Sequence, residues 1–152
     1  MDENKIIRCA GVVLDENKNV LLIRSNYGGK EYWILPGGGL EFGESLHDCV
    51  IREIKEESNI DVTPKSLIFM DENLEKNRHM IHFTYLCTPN SLNVVTGTDP
   101  DHEEEIIKEA KFVSLSELKS MDNFIPPVMK DFLIKGIESE FPEKVINFHE
   151  LK

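Results

Sequence analysis

The sequence contains no long hydrophobic run. No apolar segment approaches the roughly 18 residues that a membrane-spanning helix needs. The first residues, MDENKII, lack the basic and apolar regions of a secretory signal peptide. We therefore expect a cytoplasmic protein that does not cross a membrane.

Cysteine is scarce, and the cysteines that are present form no motif. Cys9, Cys49 and Cys87 are odd in number and widely spaced, and no two of them form a CXXC pair. This pattern argues against a disulfide framework and against a zinc site. We expect the three thiols to lie in the hydrophobic core.

Positive charge is also in short supply. The chain has 17 Lys and Arg against 28 Asp and Glu, a net charge of −11, whereas proteins that bind nucleic-acid polymers rely on clustered Lys and Arg. We therefore expect no nucleic-acid partner. A small phosphorylated substrate is compatible with the acidity, because a bound cation can reverse the repulsion between carboxylates and an anion.

The rest of the composition is typical of one globular domain. With 152 residues, of which 40% are hydrophobic, the chain can bury a proper core, and we treat residues 1–152 as a single domain. Segments with helical periodicity and segments with strand periodicity alternate irregularly, which is typical of an α/β domain with a mixed β-sheet between helices. Strands are predicted over 6–14, 20–24, 67–71, 80–87 and 110–115, and helices over 45–58 and from Pro126-Pro127 to about residue 140. The polar residues 15–19 predict a hairpin between the first two strands, and Ser116 is predicted to cap a short helix.

The segment 38–60 is the most informative stretch of the chain. A glycine-rich loop leads into the predicted helix 45–58, and a projection at about 100° per residue places Glu53 and Glu57 beside its apolar stripe, with Glu56 further round. One interpretation is a solvated charge run, since Glu and Lys are good helix formers.

The other interpretation of these three glutamates is a metal site. Like charges three and four residues apart on a helix repel each other, and the C-terminal half of a helix disfavours anions. Carboxylates in this position need a cation. Oxygen ligands without a nearby thiol or imidazole favour Mg²⁺ or Mn²⁺.

The spacing of these residues resembles the signature of the Nudix hydrolases, GX5EX7REUXEEXGU, in which U is aliphatic. The matching positions are Gly38, Glu44, Arg52, Glu53, Ile54, Glu56, Glu57 and Ile60. The chain departs from the signature at Asn59, where the family has glycine. A glycine there would end the helix at positive φ, and Asn is the next most tolerated residue. We expect a small stability cost and unchanged function.

The resemblance implies a Nudix-type α/β/α sandwich with the motif helix packed on the sheet. It also implies that Glu53, Glu56 and Glu57 bind Mg²⁺ or Mn²⁺, together with the backbone carbonyl of Gly37. By the same resemblance, Glu53 and Glu57 take part in catalysis.

Further roles follow from the same resemblance. Gly38, Glu44 and Arg52 resemble the structural part of the motif, in which the arginine steadies the loop. In many family members a later loop supplies another carboxylate as a metal ligand or general base, and Glu104 or Glu105 resembles that residue. A solvated acidic loop is the other interpretation of this run.

Three residues outside the motif are candidates for substrate binding. Arg24 ends a predicted strand, and Arg78 and His82 lie on or near a later one. Ordinary surface side chains are the alternative. His79 lies three residues before His82 and so faces the opposite side of a strand, which argues against a shared metal site.

The activity that the resemblance implies is metal-dependent hydrolysis of the diphosphate linkage of a nucleoside diphosphate derivative. The proline and tyrosine that mark the ADP-ribose and dinucleoside polyphosphate hydrolases of the family are replaced by Leu74 and Asn77. We therefore favour a nucleoside triphosphate, oxidised forms included. The alternatives are ADP-ribose or nucleotide-sugar hydrolysis, a non-catalytic nucleotide-sensing domain, and prenyl-diphosphate isomerisation with Cys87 as the catalytic cysteine. The apolar C-terminal helix could pack internally or form a homodimer.

Overall fold

The computed structural model of the protein describes residues 4–98, 105–142 and 148–151. Within these ranges the chain forms eight strands and three helices. The strands are β1 (Asn4–Val13), β2 (Val20–Tyr27), β3 (Lys30–Ile34), β4 (Gly37–Gly39), β5 (Val62–Glu75), β6 (Arg78–Pro89), β7 (Glu105–Val113) and β8 (Phe148–Leu151). The helices are α1 (Leu46–Ser58), α2 (Leu115–Ser120) and α3 (Pro127–Glu138). No helix in these ranges is long and apolar enough to cross a membrane.

The strands form two β-sheets. A mixed sheet of five strands has the order β4-β1-β6-β5-β8, in which β1 runs parallel to β6. An antiparallel sheet of three strands has the order β3-β2-β7. Helix α1 packs on one side of the strands and α2 and α3 on the other. The predicted α/β fold with a mixed sheet between helices is confirmed.

The hairpin predicted for the first two strands is wrong. Its turn forms, because the Asp15 carboxylate accepts hydrogen bonds from the backbone N–H groups of Asn17 and Asn19. Among the described pairings, however, only the isolated bridge between Leu14 and Val20 joins β1 to β2. Both strands are buried on both faces near this turn, so each can lie inside a different sheet.

Two hydrophobic clusters lie on opposite sides of the strands. Helix α1 contributes Val50 and Ile54 to one cluster, and α2 and α3 contribute Leu118 and Leu133 to the other. Gly11 on β1 makes room for α1, since a Cβ there would lie 2.6 Å from Ile54 Cδ1. All three cysteines are buried free thiols, as predicted.

Both ends of α1 are capped. Ser45 Oγ accepts a hydrogen bond of 3.0 Å from the Asp48 N–H. At the other end Asn59 adopts the left-handed conformation, with φ 67°, and its N–H donates to the Lys55 carbonyl at 2.9 Å. The expectation of positive φ at Asn59 is confirmed.

The cap predicted for α2 is two residues too late. Ser114, not Ser116, is the N-cap, and its Oγ accepts a hydrogen bond of 3.1 Å from the Glu117 N–H. The reason is that β7 ends at Val113 and the helix begins directly after the cap. The strand therefore leaves a single residue for the turn.

The conformation of Asn59 predicts the stability order Gly, Asn, Ala at this position. Alanine bears the full steric cost of a β-carbon at positive φ, whereas asparagine tolerates this region and glycine is unrestricted. The Asn59 side chain also donates through Nδ2 to the Asn93 carbonyl at 3.2 Å. We expect Asn59→Ala to lower the free energy of unfolding by about 1 kcal/mol, and Asn59→Gly to match or exceed the parent in urea denaturation. An alanine variant as stable as the parent would contradict this prediction.

Candidate active site

The glycine loop and the last turns of α1 are in direct contact. Strand β4 pairs antiparallel with β1, and the Gly37 N–H donates a hydrogen bond of 2.7 Å to Glu57 Oε1. A Cβ on Gly38 would lie 2.4 Å from the Glu53 carboxyl carbon. Only glycine therefore lets the loop backbone approach the helix this closely.

Two of the three motif glutamates are buried. Glu53 is 1% and Glu57 2% exposed, whereas Glu56 keeps 30% of its side chain exposed. This distribution follows the helical projection, which places the first two nearer to the apolar stripe. Carboxylates are rarely buried to this degree unless they are paired with cations or donors.

Arg52 forms hydrogen bonds with three of the motif carboxylates. Its Nε and Nη2 donate to the two carboxylate oxygens of Glu44 at 2.6 and 3.0 Å. Its Nη1 donates to Glu53 at 2.9 Å and to Glu56 at 3.4 Å, and Nη2 also reaches the Gly39 carbonyl at 3.1 Å. The hydrogen bond from Arg52 lowers the pKa of Glu44, and Glu44 in turn raises the pKa of Arg52. Both groups are therefore charged at neutral pH.

The cluster carries more negative than positive charge. Among the described residues, Arg52 forms ion pairs with the carboxylates of Glu41, Glu44, Glu53 and Glu56, and the Glu57 carboxylate accepts a hydrogen bond from the Gly37 N–H. In the described part of the chain no three Asp, Glu, His or Cys side chains already form a metal-binding arrangement. The donor set is nevertheless all oxygen, which fits a hard divalent cation such as Mg²⁺ or Mn²⁺. Such a cation would neutralise the excess negative charge.

A segment that follows β6 caps the C-terminal end of α1. We call residues 95–98 the strap. The backbone N–H groups of Val95, Gly97 and Thr98 donate to the carbonyls of Ser58, Glu57 and Glu56 at 2.9, 2.9 and 3.2 Å. Carbonyls in the last turn have no partner within their own helix, so the strap supplies one to each. This contact was not predicted from the sequence, in which Gly97 stands in a polar, turn-rich loop.

A pocket of about 360 Å³ opens next to the glycine loop, a volume in the range of small-molecule sites. Residues of both sheets and the residues that lead into α3 line it. Its charged or imidazole side chains are Arg8, Asp71, Arg78 and His82, and its tyrosines are Tyr27 and Tyr32. Gly37 belongs to the wall of this pocket and also contacts Glu57, so the pocket adjoins the carboxylate cluster.

Comparison with known proteins agrees with this geometry. The family profile of the NUDIX domain matches residues 5–132. The chain belongs to the Nudix hydrolase family. An ADP-ribose pyrophosphatase of Methanocaldococcus jannaschii is 30% identical over 125 residues, which cover 81% of this chain and 70% of that protein. An 8-oxo-dGTP diphosphatase of Proteus vulgaris is 35% identical over 92 residues, which cover 58% of this chain and 80% of that protein.

Solved structures show the same fold. A MutT protein from Methanosarcina mazei superimposes with a TM-score of 0.70 at 22% identity, covering 91% of this chain and 96% of that one. A MutT Nudix hydrolase from Burkholderia pseudomallei has a TM-score of 0.69 at 20% identity, covering 88% and 98%. The predicted Nudix-type fold is therefore confirmed.

The structure of this Nudix hydrolase brings the predicted motif residues together. These residues are Gly37, Gly38, Glu44, Arg52, Glu53, Glu56 and Glu57. Their roles in metal binding and catalysis stay predictions. Glu104, the predicted catalytic base, lies outside the described residues.

Two of the three candidate substrate-binding residues line the pocket. Arg78 and His82 do so, and Arg24 does not. Arg24 instead pairs with Glu31 at 3.0 Å and with Glu109 at 3.5 Å, which the flanking strands β3 and β7 supply. Both pairs are partly exposed to solvent, and the role of Arg24 in substrate binding stays a prediction.

The two histidines of β6 face opposite sides, as predicted. His82 lines the pocket, whereas His79 pairs with Glu72 at 2.6 Å. Sequence reasoning missed Arg8, Ser25 and Asp71 as pocket residues. Alternation along a strand shows that such residues share a face, but only the register between strands shows which face lines the pocket.

Because the strap lies so close to the end of α1, we predict that residue 97 tolerates no side chain. A Cβ on Gly97 would lie 1.8 Å from the Glu56 carbonyl oxygen, so Gly97→Ala must displace either the strap or the end of α1. We expect a loss of about 1–3 kcal/mol in the free energy of unfolding, measured by urea denaturation. Gly39→Ala is the matched control, because a Cβ there meets nothing within 4 Å. Equal losses in the two variants would refute the steric explanation.

The Arg52 network predicts a pH-dependent stability difference. The pKa of Glu44 lies below the ordinary 4.5 in the folded protein. Ionised Glu44 therefore stabilises the fold fully above pH 4.5, and this contribution is lost as the pH falls through the lowered pKa. We expect Arg52→Gln to cost about 2 kcal/mol near neutral pH. The difference from the parent should shrink as the pH falls below about 4.5 in urea denaturation at a series of pH values.

The control for this prediction is Lys55→Gln. Lys55 lies on the same helix, and its exposed side chain pairs with Asp61 at 3.2 Å and donates to the Asn59 carbonyl at 3.3 Å. Exposed pairs contribute about 0–1 kcal/mol. A difference between Arg52→Gln and the parent that stays constant over the acid range would argue against the role of Glu44.

Proposed function

We propose that this Nudix hydrolase is a metal-dependent pyrophosphohydrolase. It cleaves the diphosphate linkage of a nucleoside diphosphate derivative, and we favour a nucleoside triphosphate, oxidised triphosphates included, as its substrate. The observation that carries the proposal is the hydrogen bond between Gly37 and Glu57, because Gly37 also lines the pocket. A nucleotide bound in the pocket has its phosphates next to the motif carboxylates.

Glu53, Glu56 and Glu57 are the residues that would hold the cation. The Gly37 carbonyl is the backbone ligand in this proposal. When bound, Mg²⁺ or Mn²⁺ supplies charge neutralisation to the phosphates and lowers the pKa of a water molecule.

The side chains of the protein supply the remaining chemistry. Arg8 places positive charge on the pocket wall and binds phosphate oxygens. A carboxylate takes a proton from the attacking water, as general bases do. Glu53 is our first candidate for this base, and Glu104 is the second.

The named relatives support two substrate classes. The Proteus vulgaris relative is named for 8-oxo-dGTP, which supports a triphosphate. The Methanocaldococcus jannaschii relative aligns over more of the chain and is named for ADP-ribose, which makes ADP-ribose the second candidate. Leu74 and Asn77, which replace the marker residues of the ADP-ribose and dinucleoside polyphosphate groups, favour the triphosphate.

The isomerase and sensor alternatives have less support. Cys87 is buried, and burial raises the pKa of its thiol to about 12, so the thiol stays protonated at neutral pH. Cys87 also does not line the pocket. A sensing domain has no need for the motif carboxylates, and this chain has all of them.

A cytoplasmic location suits the three free thiols, because they persist in a reducing compartment.

A substrate panel tests the activity. Nucleoside triphosphates, 8-oxo-dGTP, ADP-ribose, nucleotide sugars and dinucleoside polyphosphates would each be incubated with Mg²⁺, with Mn²⁺ and with chelator, and phosphate would be measured after conversion of the products. We expect turnover of one class that the chelator abolishes. Absence of turnover across the panel, in protein that binds metal, would overturn the proposal.

Glu57→Gln is the variant that tests the carboxylate cluster. The amide oxygen of glutamine can still accept the Gly37 N–H, so the fold should be retained while one negative charge and one metal ligand are lost. We expect turnover to fall by at least about a hundredfold, with an unchanged circular dichroism spectrum. Glu16→Gln, an exposed carboxylate in the turn after β1, is the control and should retain full activity. Normal turnover in Glu57→Gln would refute the mechanism.

A further inference from the structure

Three charged or titratable side chains stand in a row on the pocket wall. Arg8 on β1 lies opposite His82 on β6, and His82 lies opposite Asp71 on β5. All three line the pocket. Neither the motif nor the proposed hydrolytic step uses Asp71 or His82.

Several polar atoms in this pocket lack aligned partners. Asp71 is buried, with 6% of its side chain exposed, and its Oδ2 lies 3.3 Å from His82 Nδ1. That contact lacks the alignment of a hydrogen bond, so the buried His82 Nδ1 has no hydrogen-bond partner within the described residues. On the other sheet, the buried Ser25 Oγ has none there either. Because buried polar atoms are normally hydrogen-bonded, this pocket is suited to a ligand with polar edges.

The rest of the lining excludes a phosphate beside Asp71 and favours a flat ring. A phosphate would be repelled by the carboxylate, whereas Arg8 on the same wall offers it positive charge. Apolar side chains complete the pocket, among them Ile34, Leu35, Met80, Pro126 and Met129. A nucleobase matches this lining, because its faces are apolar and its edges carry donors and acceptors.

We propose that Asp71 and His82 select a guanine base. The proposal deepens the proposed function, since it takes the ligand to be a nucleotide. An ionised carboxylate only accepts hydrogen bonds, so Asp71 needs donors on the base. Guanine presents two adjacent donors, N1–H and the 2-amino group. His82, in the tautomer that carries a proton on Nδ1, donates to the neighbouring O6.

The other bases do not match this pair. Adenine and cytosine place a ring nitrogen acceptor beside their amino group, which would face the carboxylate of Asp71 with a lone pair. Thymine and uracil have a single N–H between two carbonyls. Oxidation of guanine at C8 leaves its N1–H and 2-amino donors unchanged, so 8-oxo-dGTP satisfies the same contacts.

Calorimetric binding of dGMP, dIMP and dAMP to the full chain in the presence of chelator tests this inference. Hypoxanthine differs from guanine only by the missing 2-amino group, so dGMP should bind at least about tenfold more tightly than dIMP, and dAMP most weakly. In Asp71→Asn the amide presents one acceptor and one donor, and the ratio of dGMP to dIMP affinity should fall to about one.

Glu72→Gln is the matched control. It makes the same chemical change on the adjacent residue of β5, where the carboxylate pairs with His79 at 2.6 Å and does not line the pocket. The ratio of dGMP to dIMP affinity should not change in this variant.

Equal affinities for dGMP and dIMP in the parent would overturn the inference, as would tighter binding of dAMP or an unchanged ratio in Asp71→Asn. The comparison in the parent remains decisive if Asp71→Asn fails to fold. Monophosphate binding needs no hydrolysis, so a guanine preference without turnover of any triphosphate would refute the proposed function and leave the base selection standing.

Discussion

The site depends on one imbalance of charge, in which a single guanidinium holds carboxylates at the end of a helix. Arg52 contacts Glu44, Glu53 and Glu56, and Glu57 accepts a hydrogen bond from the Gly37 N–H. Repulsion among these acids and the macrodipole of α1 both oppose this arrangement. Donors from the loop and from Arg52 stabilise the carboxylates, and a cluster of carboxylates suits a cation.

Packing holds this cluster in place as firmly as charge does. Ile54 sits against Gly11, so the apolar face of α1 can approach β1 closely. Gly38 allows the loop to contact Glu53, and Gly97 allows the strap to contact the Glu56 carbonyl. The helix that carries the carboxylates is thus fixed on three sides by backbone at positions where a β-carbon does not fit. Small shifts in the core therefore move the carboxylates.

Features that arise within a short stretch of chain could be predicted from the sequence. The bounds of α1, the positive φ of Asn59 and the burial of Glu53 and Glu57 all follow from helical geometry and capping. The Nudix fold followed from the motif.

Features that depend on contacts between distant residues could not be predicted in this way. The division of β1 and β2 between two sheets, the strap over α1 and the ion pairs of Arg24 are examples. Asp71 and His82 are partners only through the register of β5 and β6. The sequence of each strand shows which side chains share a face. It does not show with which strand, or in which register, that strand pairs.

The excess of carboxylates at the end of α1 and the pocket beside Gly37 together describe a site in which a cation joins the protein to phosphate. The most direct test is anomalous diffraction from crystals grown with Mn²⁺. A peak among the carboxylates of Glu53, Glu56 and Glu57 is the predicted result. A fully occupied manganese position elsewhere, with no peak among these three carboxylates, would contradict it.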